Sequence, residues 1–356
     1  MTLLALRGGR VLTTTGWSYD DLYVEDGCVV AQPSAQPHVV DVSGCTVAPG
    51  FVDLHVHAAG GHAVQGQRAD LPGMARTLAA SGVTSFLATT MTSPLVDLHE
   101  VVTRPLPTSG ARCLGFHLEG PWLAPDAAGA QPREHLQTID VDAALALVRA
   151  GPVRVVTLAP ELAGSSALIA ALVAKGVHVS LGHSQATYAE SVAAVETGAA
   201  GVTHCFNAMS QLAGREPGLV GAALTLPGLV VEVIADGVHV HPAGVLALHA
   251  ARGAAGVALV SDGVEGCADP DVLRRDGSVL RLPDGTLAGS ALSLADAVAT
   301  VVGWGVPLED ALAMASTTPA AVLGLDVSLQ PGGSADVVVL DAKLRVRHVL
   351  IAGVLQ

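Results

Sequence analysis

Aromatic residues make up only 3% of the 356 positions, and charged residues only 14%. With half the chain apolar and few rings to fill space, the core has to be assembled from many small Ala, Val and Leu contacts. Basic residues are also sparse: 18 Lys and Arg stand against 32 Asp and Glu, a net charge of −14. No Lys/Arg cluster is visible, which excludes a surface built to bind a nucleic-acid backbone. An anionic small molecule would need a local cationic site. Unbroken apolar runs long enough to span a membrane are missing too, because the longest, around Leu219 to Ala235, is interrupted by Pro227 and Glu232. The first residues lack the basic, apolar, small-residue order of a leader, so the expected location is cytoplasmic. Cys28, Cys45, Cys113, Cys205 and Cys267 are odd in number and form no close pairs, as reduced thiols would.

The chain divides into two short β-rich ends and a long alternating middle. At the N-terminal end, Leu3–Leu6, Arg10–Leu12, Asp21–Val24, Cys28–Ala31 and Val39–Val42 read as strands with turns between them. At the C-terminal end, Ala335–Leu340, Arg345–Val349 and Ile351–Leu355 follow a Pro331-Gly332-Gly333 turn. The two ends look alike and are expected to pair outside the main domain, giving a small β-sandwich domain from 1–48 and 328–356.

Between them, 49–327 alternates apolar strand runs with Ala- and Leu-rich helical runs. The strand candidates are Phe51–His57, Thr84–Thr90, Cys113–Glu119, Val153–Pro160, Val177–His183, Gly201–Asn207, Val230–Asp236 and Ala258–Asp262. Continuous apolar runs suit parallel strands covered on both faces, and eight of them favour a closed (β/α)8 TIM barrel over an open sheet.

Polar residues gather where these runs end, the face on which barrel active sites lie. The first run ends His55-Val56-His57, the third His117-Leu118-Glu119, the fifth Gly182-His183, the sixth His204-Cys205-Phe206-Asn207. The seventh leads into Asp236-Gly237-Val238-His239, the eighth ends at Asp262, and the fourth adds Glu161. A His-x-His pair on a strand points both imidazoles to one side, so His55 and His57 can converge on one ion. Any one of these histidines alone is more simply a satisfied core residue; it is their joint placement at strand ends that points to chemistry. Glu119, His183 and His204 form a one-carboxylate, two-imidazole set that leaves a position open on a metal such as zinc. Asp262 is either a turn residue before Gly263 or the general base that deprotonates the attacking water and returns the proton to the leaving nitrogen.

Gly182-His183-Ser184-Gln185-Ala186 approaches a serine-hydrolase elbow, with Asp262 and His348 in triad order. The final Gly is missing, and that reading leaves His55, His57, Glu119 and His204 without a role. There is no G-x-G-x-x-G, P-loop or H-E-x-x-H.

Pro49-Gly50-Phe51-Val52-Asp53-Leu54-His55-Val56-His57 resembles the opening of the amidohydrolase superfamily. His117–Trp122, Gly182-His183-Ser184, Thr203–Met209 and Ala235–His239 resemble the N-acetylglucosamine-6-phosphate deacetylases, and Arg215–Gly218, Gly285–Ser290 and Thr318-Pro319-Ala320 extend the likeness over most of the chain. The resemblance implies a barrel with a small β domain, commonly a homodimer, that hydrolyses an N-acetylated amino-sugar phosphate to acetate and the free amine. It implies one or two divalent ions, zinc first with iron or another metal as the alternative: one on Glu119, His183 and His204, with His55 and His57 retained as the pair that binds a second in some members, and Asp262 as base. Asn207, the Ala208 backbone, His239 and Arg215 would hold the sugar phosphate, Arg215 reaching across the dimer, with Gln131, Leu287 and Ala288 also lining the substrate.

One departure stands out. Where the family has Gly-Ala-His, with the His polarising the amide carbonyl, this chain has Gly129-Ala130-Gln131. Gln131 can donate an N–H but cannot offer an imidazolium. A second metal acting as Lewis acid, or His135, could compensate. The basic residues usual before that motif are Ala127 and Ala128 here, which opens the choice of acetamido sugar, the galactosamine epimer included. Deamination or cyclic-amide hydrolysis is disfavoured because those branches more often place Lys where Glu119 stands. A weakly catalytic, metal-containing sugar-phosphate binder is the reading outside enzymes.

Overall fold

The computed structural model describes residues 3–267 and 272–356. Eight strands run in parallel in chain order: Phe51–Ala59, Val83–Thr90, Arg112–Glu119, Val153–Leu158, His178–Leu181, Gly201–Val202, Val230–Val233 and Val257–Leu259. Each pairs with its neighbour in sequence. After Val260, Ser261 and Asp262 the chain pairs again: Gly263–Val264 lies parallel to the first strand, with Gly263 opposite Val56. The sheet is therefore curled, and one continuous stretch of chain bonds to both of its ends. Every crossover carries a helix, from Leu71–Ala80 through Pro242–Arg252, as parallel pairing requires. Their apolar sides and the strands' outer faces make one large core, with Phe86, Phe116, Leu118 and Val231 beneath Met74, Leu147 and Leu248. Val52, Leu54, Val155 and Ala258 form a separate cluster with Ala320 and Leu323 at the end of the chain's last helix, Thr317–Val322.

The first four strands begin and end within about two residues of the sequence expectation, but the fifth to seventh are much shorter. Gly201–Asn207 shrinks to Gly201–Val202, and Val177–His183 to His178–Leu181. The cause is local: His183, His204, Phe206 and Ala208 have φ of +48°, +30°, +78° and +48°, which turns the chain out of the ladder.

The chain ends form two sheets. Val337–Leu340, Val346–Ile351 and Val354–Leu355 join Thr46–Pro49, Arg10–Thr13 and Gly16–Ser18 in a six-stranded sheet. Leu3–Arg7, Leu22–Glu25, Cys28–Val30 and His38–Asp41 form a separate four-stranded sheet. Leu6, Val24 and Val29 of the smaller sheet pack on Val47, Val337 and Leu350 of the larger. Three further strands, Arg274–Asp276, Val279–Arg281 and Leu287–Ser290, extend the parallel sheet from Gly263 as an antiparallel ribbon.

Candidate metal and substrate site

The first and third strands deliver His55, His57 and Glu119 directly; His183, His204 and Asp262 follow the fifth, sixth and eighth strands in tight turns. All six are at least 92% buried: His55 is fully inaccessible and Asp262, the most open, is 8% exposed. Three of them, His183, His204 and Asp262, have positive φ. For residues with a Cβ this costs about 1 kcal/mol or more each and persists only where the surroundings impose it. The eighth-strand turn is held by the Asp262 N–H donating to the His55 carbonyl and by Ser290 N–H donating to the Asp262 carbonyl, at 2.9 and 2.8 Å.

Glu119 is the hub. Its Oε1 stands 3.0 Å from His183 Nε2 and 2.9 Å from His204 Nε2, which are 3.1 Å from each other. On the other side His57 Nε2 is 3.3 Å from Glu119 Oε2, and His55 Nε2 is 3.4 Å from Oε1. His55 and His57 Nε2 are 3.2 Å apart, and Asp262 Oδ1 lies 3.6 and 3.5 Å from them. The far nitrogens are already committed: His57 Nδ1 donates to the Thr89 carbonyl and His183 Nδ1 to that of Ala127, at 3.1 and 2.8 Å. Neutral imidazoles with Nδ1 protonated therefore present lone pairs to one another and to carboxylate oxygens, a repulsion relieved by a bound cation or by a proton, and against their burial the facing Glu119 and Asp262 raise the proton affinity of His55 and His57. Ligand atoms about 2.0–2.1 Å from a tetrahedral ion stand roughly 3.3 Å apart, and both groups of contacts match that edge. The residues present thus fit a divalent ion between Glu119, His183 and His204, and a second between His55, His57 and Asp262 with Glu119 beside them.

Burial works against ionising Glu119, but facing His55 and His183 holds its carboxyl well below the ordinary carboxylate range. Asp262 is likewise opposed by burial and lowered overall, chiefly by the hydrogen bond and charge of His57 and the charge of His55. Both acids are accordingly in the form that binds cations and accepts protons. Behind this ring lies a carboxylate the sequence argument treated only as an interruption: Glu232 Oε2, 3.1 Å from His55 Nδ1. His117, also inward, donates Nδ1–H to the Leu54 carbonyl at 2.9 Å, and burial pushes it down to about 4.

The ring opens into a cavity of about 720 Å³. Asn207, Ala208, His239, Gln131, Leu287 and Ala288 line it, as expected of substrate contacts. His239 Nδ1 is fixed at 2.6 Å from Asp236 Oδ2, whose other oxygen accepts the Val238 and His239 N–H groups, so its free Nε2 edge is pre-oriented. Arg215 is exposed and does not line the cavity of its own chain. Arg133 and Arg281, which sequence reasoning passed over, do line it; no run of basic residues marks either. Gln131 is 6% exposed, its Oε1 accepts Thr92 N–H at 2.7 Å and its amide nitrogen donates to Glu119 Oε2, so it steadies the hub carboxylate beside the cavity. The serine-hydrolase alternative is not assembled: Ser184 Oγ donates to Glu161 at 2.7 Å, and His348 lies on a strand of the six-stranded sheet, by a different cavity. Glu161 is taken up by that contact and does not join the metal ring.

Residues 46–355 match the amidohydrolase family. The chain belongs to the amidohydrolase family. Within it, this amidohydrolase groups with the acetamido-sugar-phosphate deacetylases. It is 38% identical to N-acetylgalactosamine-6-phosphate deacetylase of Escherichia coli O157:H7, covering 98% of both chains. It is 35% identical to N-acetylglucosamine-6-phosphate deacetylase of Vibrio furnissii, over 98% of this chain and 93% of that one. Among solved structures it resembles an alanine mutant of N-acetyl-D-glucosamine-6-phosphate deacetylase from Mycobacterium smegmatis in complex with N-acetyl-D-glucosamine 6-phosphate: TM-score 0.91, 32% identity, covering 100% and 99% of the two chains. No helix among the described residues of the amidohydrolase is long and apolar enough to cross a membrane.

Proposed function

We propose that this amidohydrolase cleaves the N-acetyl group of N-acetylglucosamine 6-phosphate, giving glucosamine 6-phosphate and acetate. The observation that carries the reading is the Glu119-centred ring of imidazoles with Asp262 at its edge, opening into a cavity that holds His239, Arg133 and Arg281. We take the scaffold to be a (β/α)8 barrel over 49–327 with a β-sandwich domain from 1–48 and 328–356; the chain run that pairs with both sheet ends supports closure.

A divalent cation on these ligands, zinc being the first choice, supplies Lewis-acid activation of water and of the amide carbonyl. Asp262, ionised and within reach of the same ligands, takes the proton of the attacking water. The same carboxyl then hands the proton to the amide nitrogen as the carbon–nitrogen bond breaks, so that the neutral amine and acetic acid leave, the acid giving its remaining proton to solvent as acetate. Gln131 keeps Glu119 in place, and its second amide hydrogen, which rests on the weak acceptor Met91 Sδ at 3.9 Å, is the one that can turn to the developing oxyanion. Asn207, the Ala208 backbone, Leu287 and Ala288 position the sugar, and His239 meets the phosphate. An exposed Arg215 outside its own cavity favours a homodimer in which it serves the neighbouring site. Five free cysteines favour the cytoplasm.

A second reading, the galactosamine epimer as preferred substrate, is favoured by the 38% identity to an enzyme named for it. Acetate and ammonia are measured with both 6-phosphates, in the presence of zinc. Acetate from one or both sugars supports the deacetylase, and the larger kcat/KM names the epimer; ammonia, or no product from either, overturns it.

A further inference from the structure

Glu232 occupies the middle of Val230–Val233, among valines, and is 4% exposed. A strand covered on both faces gains nothing from a charge, and a buried carboxylate is costly unless paired. The only side-chain hydrogen bond Glu232 makes among the described residues is to His55 Nδ1, at 3.1 Å, and His55 is itself wholly buried. A carboxylate only accepts, so the shared hydrogen belongs to Nδ1 and the His55 Nε2 lone pair is left facing His57, Glu119 and Asp262. The other imidazoles of the ring are backed differently. His57 and His183 lean on neutral backbone carbonyls, and His204 Nδ1 is buried without a partner. His55 alone has a full negative charge behind it, the arrangement that makes an imidazole a stronger metal ligand.

We propose that Glu232 is a positioning residue for the ion bordered by His55 and His57: by holding the His55 Nε2 lone pair toward that ion, it strengthens the ion's binding. The inference rests on the metal reading above but not on the identity of the sugar. It is tested by loading full-length protein with zinc, removing free ion, and measuring bound zinc per subunit and its affinity against a chelating dye, for the wild type, Glu232→Gln and Glu232→Leu. Far-UV circular dichroism and thermal unfolding check the fold. The expected result is two ions in the wild type and a second ion bound about 10- to 100-fold more weakly in Glu232→Gln, with the first unchanged. Glu232→Leu, which also loses the acceptor, is expected to bind it more weakly still; if that variant does not fold, Glu232→Gln decides. Two ions held at wild-type affinity in the folded variants, or a single ion in the wild type, overturns the proposal. A wild type that binds no zinc overturns the metal reading instead.

Discussion

Asp262 is held on both sides, by its N–H to the His55 carbonyl and by the Ser290 N–H to its own carbonyl, so its carboxylate cannot swing away from the His55 and His57 Nε2 atoms. Asp262→Asn keeps that shape but cannot accept a proton, and kcat is expected to fall by on the order of 10²–10⁴. The ion on Glu119, His183 and His204, measured alongside, is expected to stay, while the one bordered by Asp262 is expected to bind more weakly; near-normal turnover would remove Asp262 from the role of base. His239, oriented by Asp236, makes a different prediction. His239→Ala raises KM for the 6-phosphate substrate by about tenfold or more and leaves the unphosphorylated sugar nearly unaffected, since a hydrogen bond to a charged group is worth about 1.5–3 kcal/mol. Equal changes with both sugars would count against a phosphate contact. At this scale the convergence of the ring's residues was legible in sequence, because the two-residue period of a strand puts His55 and His57 on one side and polar residues were concentrated at strand ends. Glu232, Arg133 and Arg281 were not legible. The partner of Glu232 comes from an element distant in sequence, neither arginine stands in a basic run, and an acid within an apolar run looks the same whether it interrupts a helix or backs a ligand.

The sheet is stitched internally as well as along its ladders. His117, on the third strand, bonds to the Leu54 carbonyl on the first and stands 2.7 Å from Thr157 Oγ1 on the fourth, which is 2.7 Å from Thr203 beyond the sixth. Burial pushes His117 down to about 4, below its ordinary 6.5, so the unfolded chain binds a proton over that interval and the folded protein does not. Stability from this group is full above pH 6.5 and is lost as pH falls from 6.5 towards 4, by up to about 3 kcal/mol. Urea unfolding at pH 7, 6 and 5 is expected to show a steeper loss for the wild type than for His117→Gln; parallel slopes would contradict this. The alternation of strand and helix was legible because each crossover needs a helix long enough to show its period. The short fifth to seventh strands were overextended, since apolarity continues through His183 and His204 while the backbone has already turned. The ribbon 274–290 escaped notice because its strands of three and four residues carry too little alternation to register.

Across the whole molecule, the two chain ends could be matched by their composition but not assigned to sheets, because that depends on pairings some 290 residues apart, such as Val338 with Ala48. The join between the parallel sheet and these end strands combines an apolar contact, with Val338, Leu340, Val349 and Ile351 in the same core as Phe51 and Leu78, with a polar one: Arg112, at the start of the third strand, donates to the fully buried Asp336. Everything in the account then turns on one site. Histidines from the first, fifth and sixth strands meet one glutamate from the third, in a protein of net charge −14 whose cavity is nonetheless arranged for an anionic sugar. The direct test is acetate release from N-acetylglucosamine 6-phosphate and its galactosamine epimer by the purified protein, before and after exhaustive chelation and during stepwise return of zinc. The account predicts that release stops when the ions are removed and returns with the first one or two equivalents per subunit; release that continues unchanged in the stripped, folded protein would contradict it.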